Sequence, residues 1–234
     1  MKRLLLPISF LYSIVLFLRH KLYDWKILKS KSYNIPNICV GNLNLGGTGK
    51  TPHIEYLTNL LSENYKIAIL SRGYGRNTKG FILADESHTH HDIGDEPLQY
   101  FKKFKDIKVA VDENRCEGME RLLQEENPPQ IVLLDDAYQH RKIKPGLNIL
   151  LTDYYNLYSN NHLFPAGILR DIKKAAQRAE IIVVTKSPNV ITPYYRKDVE
   201  SSLKLLPHQK IFYSYIEYLD FKPFSKISYE TDIK

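Results

Sequence analysis

The sequence predicts an α/β protein of the P-loop NTPase-like class: a mainly parallel sheet with helices on both faces, preceded by an N-terminal membrane-associated helix. Three observations carry that expectation. Short apolar runs alternate with helix-period segments along the chain, and the crossovers of such alternation force parallel strands. A glycine-rich loop, Asn44-Leu45-Gly46-Gly47-Thr48-Gly49-Lys50-Thr51-Pro52, directly follows the apolar run Ile38-Cys39-Val40. A later run, Ile131-Val132-Leu133-Leu134, ends in Asp135-Asp136, which places carboxylates at the carboxyl edge of the sheet beside that loop.

Taken in order, the first element is the most unusual. Leu4 to Leu18 carry no charge and lie between Lys2-Arg3 and Arg19-His20-Lys21, with Tyr23 and Trp25 beyond. The run is short for a spanning helix, Pro7 interrupts it, and no small-residue cleavage site marks it as a signal peptide. An interfacial helix fits: Ile8, Leu11, Ile14, Val15 and Leu18 enter the acyl region while basic and aromatic residues sit at headgroup level. The alternative is a helix packed on the protein's own core. Residues 1–28 are therefore set apart from a P-loop domain of 29–234.

Within that domain the spacing predicts strands at Asn37–Val40, Lys66–Ser71, Phe81–Leu83, Val109–Val111, Ile131–Leu134, Leu147–Thr152, Ile181–Thr185 and Ile211–Tyr215. Helices are predicted at Pro52–Leu61, with Ile54, Leu57, Leu60 and Leu61 on one face, and at Glu96–Phe104 and Arg115–Glu125. Pro52 suits a first helical turn.

Composition bounds the partners. The chain has 234 residues, 43% of them hydrophobic, enough for one α/β domain with a sizeable core. Its 33 Lys and Arg against 26 Asp and Glu leave +7, which suits an anionic partner. Neither zinc-finger spacing nor an RNP-type aromatic motif occurs, so an acidic membrane or a phosphorylated substrate is expected rather than nucleic acid. The two cysteines, Cys39 and Cys116, form no disulfide framework, and Cys39 reads as a core residue.

The chemistry of the loop explains its residue types. Gly46, Gly47 and Gly49 let backbone N–H groups approach phosphate oxygens, and the helix N-terminus adds partial positive charge. Lys50 can reach the β- and γ-phosphates, and Thr51 can offer its hydroxyl to Mg²⁺. Asn44 stands where the usual pattern has glycine. A carboxylate at the tip of a neighbouring strand, here Asp135 or Asp136, holds the nucleotide's magnesium in such proteins.

Gly94-Asp95-Glu96-Pro97 reads in two ways. Asp95 caps a helix and Glu96 complements its dipole, or a carboxylate there takes a proton from an attacking hydroxyl. Arg72, Arg76, Arg115, Arg141 and Arg170 are the cations able to neutralise phosphate, against the alternative of solvated surface positions. His88, His90, His91 and Asp92 lack a recognised ligand spacing and read as a solvated loop.

Together these segments resemble the tetraacyldisaccharide 4′-kinase family, the lipid A 4′-kinases. The resemblance is carried by Val40-Gly41-Asn42-Leu43, Gly46-Gly47-Thr48-Gly49-Lys50-Thr51-Pro52, Ser71-Arg72-Gly73-Tyr74-Gly75-Arg76 and Gly94-Asp95-Glu96-Pro97. It continues in Asp135-Asp136-Ala137-Tyr138-Gln139-His140-Arg141, similar to the family's Asp-Asp-Gly-Phe-Gln-His, and in Leu163-Phe164-Pro165-Ala166-Gly167-Ile168-Leu169-Arg170. It implies transfer of the ATP γ-phosphate to the 4′-hydroxyl of a lipid A disaccharide precursor, with ATP and Mg²⁺ as cofactors, at the cytoplasmic face of the inner membrane. It implies Asp95 as base, with Glu96 and Lys50 beside it. Gly46, Gly47, Thr48, Gly49, Lys50 and Thr51 would hold the nucleotide, and Thr51, Asp135, Asp136 and Glu96 the metal. Arg72, Arg76, Gln139, His140 and Arg170 would meet the substrate. The family also carries an Asp-His-His motif whose histidine assists the base. Nothing after Lys186 matches it, so the expectation is a shortened chain, or one in which another group takes that place.

Three rival readings remain at this stage. One is a membrane-associated P-loop ATPase switch, although the early loop lysine of the deviant partitioning proteins is absent from Asn42-Leu43-Asn44-Leu45. Another is a GTPase, for which Thr185-Lys186-Ser187-Pro188 ends a strand at the guanine-reading position but lacks the aspartate. The third is a lipid-binding protein without chemistry.

Overall fold

The computed structural model describes residues 5–217. The basic Lys2-Arg3 flank and the last part of the 29–234 domain lie outside the described residues. Strands β1 (Asn37–Asn42), β2 (Ile67–Ser71), β3 (Ile82–Leu83) and β4 (Lys108–Val111) are followed by β5 (Ile131–Asp135), β6 (Leu147–Asp153), β7 (Ile181–Thr185) and β8 (Lys210–Tyr213). They form one sheet in the order β3-β4-β2-β5-β1-β6-β7-β8. Every pairing is parallel except that of the short β3 with β4.

Helices α1 (Leu6–Asp24), α2 (Lys50–Ser62), α3 (His90–Ile93), α4 (Asp95–Lys103), α5 (Arg115–Leu123) and α6 (Pro193–Leu203) complete the set, with 3₁₀ turns at Tyr158–Asn160 and Lys173–Arg178. Strand residues alternate between two cores, as a period of two requires. Cys39, Leu70, Val132 and Leu134 pack with Met119 and Leu122 of α5 and with Val199 and Leu203 of α6. Val40, Ile69, Val109 and Leu133 pack with Ile54 of α2 and Tyr100 of α4. The sheet is thus covered on both faces, which is why its strands read as continuous apolar runs. Burial pushes the Cys39 thiol up to about 12, in keeping with an inert core residue.

The departures from the predicted elements are instructive. Helix α2 begins at Lys50, two residues before Pro52, because Gly49 turns the chain with a left-handed φ of 82°. Leu60 is exposed, whereas Thr58 is buried and bonds back to the Ile54 carbonyl at 2.8 Å. The core-facing stripe runs through buried Ile54 and Thr58 to half-buried Leu61, and Leu60 lies about 100° from Leu61 around the axis. Helix α6 was hidden because only Val199 and Leu203 of its eleven residues are buried. The histidine-rich segment forms the single turn α3, closed by a Thr89–Asp92 capping box.

Helix α1 lies along the domain and buries one narrow stripe: Ser9, Leu16, His20 and Tyr23. Polar contacts hold that stripe. Ser9 Oγ donates to the Leu163 carbonyl and accepts from the Ala166 N–H, both at 2.9 Å. Arg141 donates to His20 Nδ1 and to the His20 carbonyl at 3.0 Å and to Asp24 at 2.9 Å. Because arginine can only donate, His20 Nδ1 accepts, and its Nε2–H is the donor to buried Asp171 at 2.6 Å. The opposite side of α1, including Ile8, Leu11, Ile14, Val15 and Leu18, faces outward. Among the described residues no helix is long and apolar enough to cross a membrane.

Candidate active site

The phosphate loop joins β1 to α2 and is tied shut by Asn42. Its Nδ2 donates to Thr48 Oγ1 at 2.6 Å and to the Gly46 carbonyl at 3.2 Å. Thr48 is buried, and its Oγ1 accepts that bond. Gly49 in the left-handed region is the N-cap of α2 and uses no side chain, which leaves the first N–H groups of the helix open to the loop. Lys50 Nζ lies 3.9 Å from Asp136 Oδ1, and Thr51 Oγ1 donates to Glu96 Oε1 at 3.2 Å.

The two aspartates after β5 do different things. Register pairs Val40 with Asp135, which brings the acidic pair to the root of the loop. Asp135 is fully buried, and its Oδ2 accepts from Ser71 Oγ and Tyr100 O–H at 3.3 Å each. Its Oδ1 has no partner among the described residues. Burial, reinforced by Glu96 and Asp136, pushes this carboxyl up to about 7. Asp136 adopts a left-handed φ of 49° and turns outward. Arg170 grips it with both guanidinium nitrogens, Nη1 at 2.9 Å and Nη2 closer. Burial alone would raise the Asp136 pKa, but Arg170 and Lys50 outweigh it and hold the carboxyl below its ordinary value.

These groups open into a cleft of about 880 Å³ at the carboxyl edge of the sheet, a size within the usual range for ligand sites. Gly46, Gly47, Lys50, Arg72, Asp95, Glu96, Asp136, Gln139, His140 and Arg170 line it. Ten residues singled out from the sequence therefore converge from segments far apart in the chain. Asp95 is exposed, and its side chain makes no hydrogen bond among the described residues. The capping role read for it is not realised, because Gly94 occupies the N-cap. Gly94 has a φ of 91°, and a Cβ there would come within 2.9 Å of the Tyr74 carbonyl. Only glycine lets the Gly-Asp-Glu-Pro turn lie against the Arg72–Tyr74 loop.

Gln139 donates to the Asn42 carbonyl at 2.7 Å and so braces the loop. His140 is held neutral: burial, aided by Arg115, Lys142, Arg19 and Arg72, brings its pKa down to about 4. Arg76 is a correction to the predicted substrate set. It does not line the cleft; it donates to Gly80 O at 2.7 Å and pairs closely with Glu113, with its side chain 4% exposed. Its charge closes the loop that carries Arg72.

Several cleft residues were missed or left aside. Tyr12, Leu16 and Arg19 bring α1 into the wall, and Arg19 donates to the Gln139 carbonyl at 3.0 Å. The signal for them was a helical flank distinct from the apolar face. Asp171, beside Arg170, lines the cleft as well. Arg115, weighed only as one cation of several, is buried, and its Nη2 bonds to the Asp135 carbonyl at 3.4 Å.

Fold and site define a nucleotide-type P-loop protein: a parallel sheet, a glycine loop at its carboxyl edge, a lysine and paired aspartates. More specifically, the chain belongs to the tetraacyldisaccharide-1-P 4′-kinase family, LpxK, which matches over residues 1–215. It is 49% identical to the tetraacyldisaccharide 4′-kinase of Bacteroides thetaiotaomicron over 220 residues, 94% of this chain and 58% of that protein. With the counterpart from Bacteroides fragilis it shares 52% over 215 residues, 92% of this chain and 57% of that protein. The crystal structure of the "apo" form of LpxK from Aquifex aeolicus in complex with ATP superposes with a TM-score of 0.72 at 38% identity. That match covers 78% of this chain and 58% of the solved one. The chain thus spans less than two thirds of the length of these relatives.

Proposed function

We propose that the cleft transfers the γ-phosphate of ATP to the 4′-hydroxyl of a tetraacyldisaccharide 1-phosphate, a precursor of lipid A. One observation carries this reading. A phosphate loop and an unpartnered carboxylate, Asp95, share a cleft whose wall is a helix with an apolar outer face. A substrate with a sugar head and acyl tails fits that combination: the head enters the cleft and the tails follow α1.

The loop N–H groups and Lys50 bind the phosphates, and Arg170 keeps Asp136 ionised and aimed at Lys50. Among the described residues the carboxylates form no ready-made metal cluster, but Asp135 keeps a buried oxygen without a partner and Thr51 keeps a hydroxyl oxygen beside the loop, which suits a magnesium ion brought in with the nucleotide's own phosphate oxygens. When bound, the metal would neutralise charge on the β- and γ-phosphates. Asp95 accepts the proton of the attacking hydroxyl. Arg19 and Arg72 supply the positive charge of a wall suited to the substrate's own phosphate, with neutral His140 beside them as a hydrogen-bonding group.

The outer face of α1 lies in the cytoplasmic leaflet of the inner membrane, its exposed leucines in the acyl region and Lys21 at the headgroups. The ATPase-switch reading has no use for an acid without partners beside a lipid-facing helix. Labelled ATP given to the protein with the disaccharide lipid in vesicles separates the two. The proposal expects label in the lipid, whereas label only in inorganic phosphate favours the switch.

A further inference from the structure

We propose that Lys186 seats the nucleobase of the nucleotide, its side-chain stem forming an apolar floor at the tip of β7. The inference rests on the nucleotide reading above. Lys50 and Asp136 meet on the β5 side of β1 and fix the γ end of a triphosphate there. A nucleotide drawn across the loop then sends its base to the other side, over β6 and β7.

Lys186 stands at that place. Its backbone has a left-handed φ of 55°, a conformation that non-glycine residues enter rarely and that marks sites held by their surroundings. Its Nζ donates to the Gly47 carbonyl at 2.8 Å and pairs with Asp153 Oδ2 at 2.8 Å. Asp153 is fixed in turn by the Tyr155 N–H at 2.9 Å. With both ends anchored, the four-carbon stem is stretched between β7 and the phosphate loop, and 39% of the side chain stays exposed. An ammonium already shared by a carbonyl and a carboxylate is spent on holding the loop. What Lys186 offers a ligand is methylene surface, which a flat purine ring covers. The missing aspartate of Thr185-Lys186-Ser187-Pro188 fits a seat that stacks the base without reading guanine.

The test compares Mg²⁺-ATP with Mg²⁺-tripolyphosphate, which lacks base and sugar, by titration calorimetry on the full chain. Three proteins are measured: wild type, Lys186→Ala and Lys186→Met, the last keeping a stem without the charge. Wild type is expected to bind ATP more tightly than tripolyphosphate. Lys186→Ala should cut that preference by about tenfold, the equivalent of roughly 1.4 kcal/mol. Lys186→Met should preserve most of the preference even where both affinities fall together. An unchanged preference in Lys186→Ala overturns the inference, because Lys186 then acts on the loop alone. So does an equal loss of preference in Lys186→Met, which would assign the effect to the ammonium. A wild-type chain that binds neither ligand removes the nucleotide reading itself.

Discussion

In β5 every residue from Ile131 to Asp135 is buried, whereas in α1 Leu11, Val15 and Leu18 are more than half exposed. Both segments are uncharged apolar runs until their ends. The difference lies in what surrounds them. Strand β5 is flanked by β1 and β2 and covered on both faces. Helix α1 is attached by a stripe of four buried residues, two of them the polar Ser9 and His20. Hydropathy alone therefore does not state whether a run builds the core or stays outside it. The attachment decides: polar bonds along one stripe leave the apolar remainder free for another apolar phase.

A large loss of rate is expected at the end of the buried run. Lys50→Ala removes the lysine that faces Asp136 and should lower phosphoryl transfer on the order of 10²–10³-fold, the usual cost of one preorganised donor. A rate assay with saturating lipid measures it, and an unchanged rate would separate β5's acidic tip from the chemistry.

Next comes the comparison itself. Leu134 is fully buried, so Leu134→Ala should cost about 2–5 kcal/mol in a denaturant titration. Leu11→Ser, at a position 64% exposed, should stay within about 0.5 kcal/mol in solution. Comparable losses at the two sites would mean that α1 is packed as a core helix.

The third expectation is about lipid. Changing Leu11, Val15 and Leu18 together to serine should reduce partitioning into anionic vesicles by about tenfold or more, since each removes buried methylene groups from the acyl phase. ATP affinity should not change. Vesicle binding equal to that of wild type would leave the outer face without a role.

The smallest effect is one of pH. An ordinary imidazole titrates near 6.5, and His140 is held down to about 4. Between those values the unfolded chain takes a proton that the folded one refuses, so this residue lowers stability as pH falls. Asp135, pushed up to about 7, acts in the opposite sense across the same window. The reading is therefore the difference between wild type and His140→Gln. The variant should be relatively more stable at pH 5 than at pH 7, by about 1 kcal/mol or less after solvent screening.

The sheet, the phosphate loop and most of the cleft were legible in the sequence because backbone requirements leave fixed residue types at fixed spacings. Glycines that must turn, acids at strand tips and continuous apolar strands are such cases. Residues whose role depends on tertiary placement were not legible. Arg76 and Arg72 sit in one motif, yet Glu113 and Gly80 draw Arg76 away from the cleft. Asp135 and Asp136 are adjacent, yet only Asp136 faces outward. Helix α6 went unseen because its stripe of buried residues is too sparse to show a period.

Asp95 tests the central claim most directly, that the cleft transfers phosphate with this carboxylate as base. Its side chain faces the cleft without a hydrogen-bond partner among the described residues, so Asp95→Asn removes a proton acceptor and little else. Single-turnover transfer from Mg²⁺-ATP to the disaccharide lipid should fall by about 10²–10⁴-fold, while ATP affinity stays within about threefold of wild type. Transfer at the wild-type rate by Asp95→Asn would contradict the account.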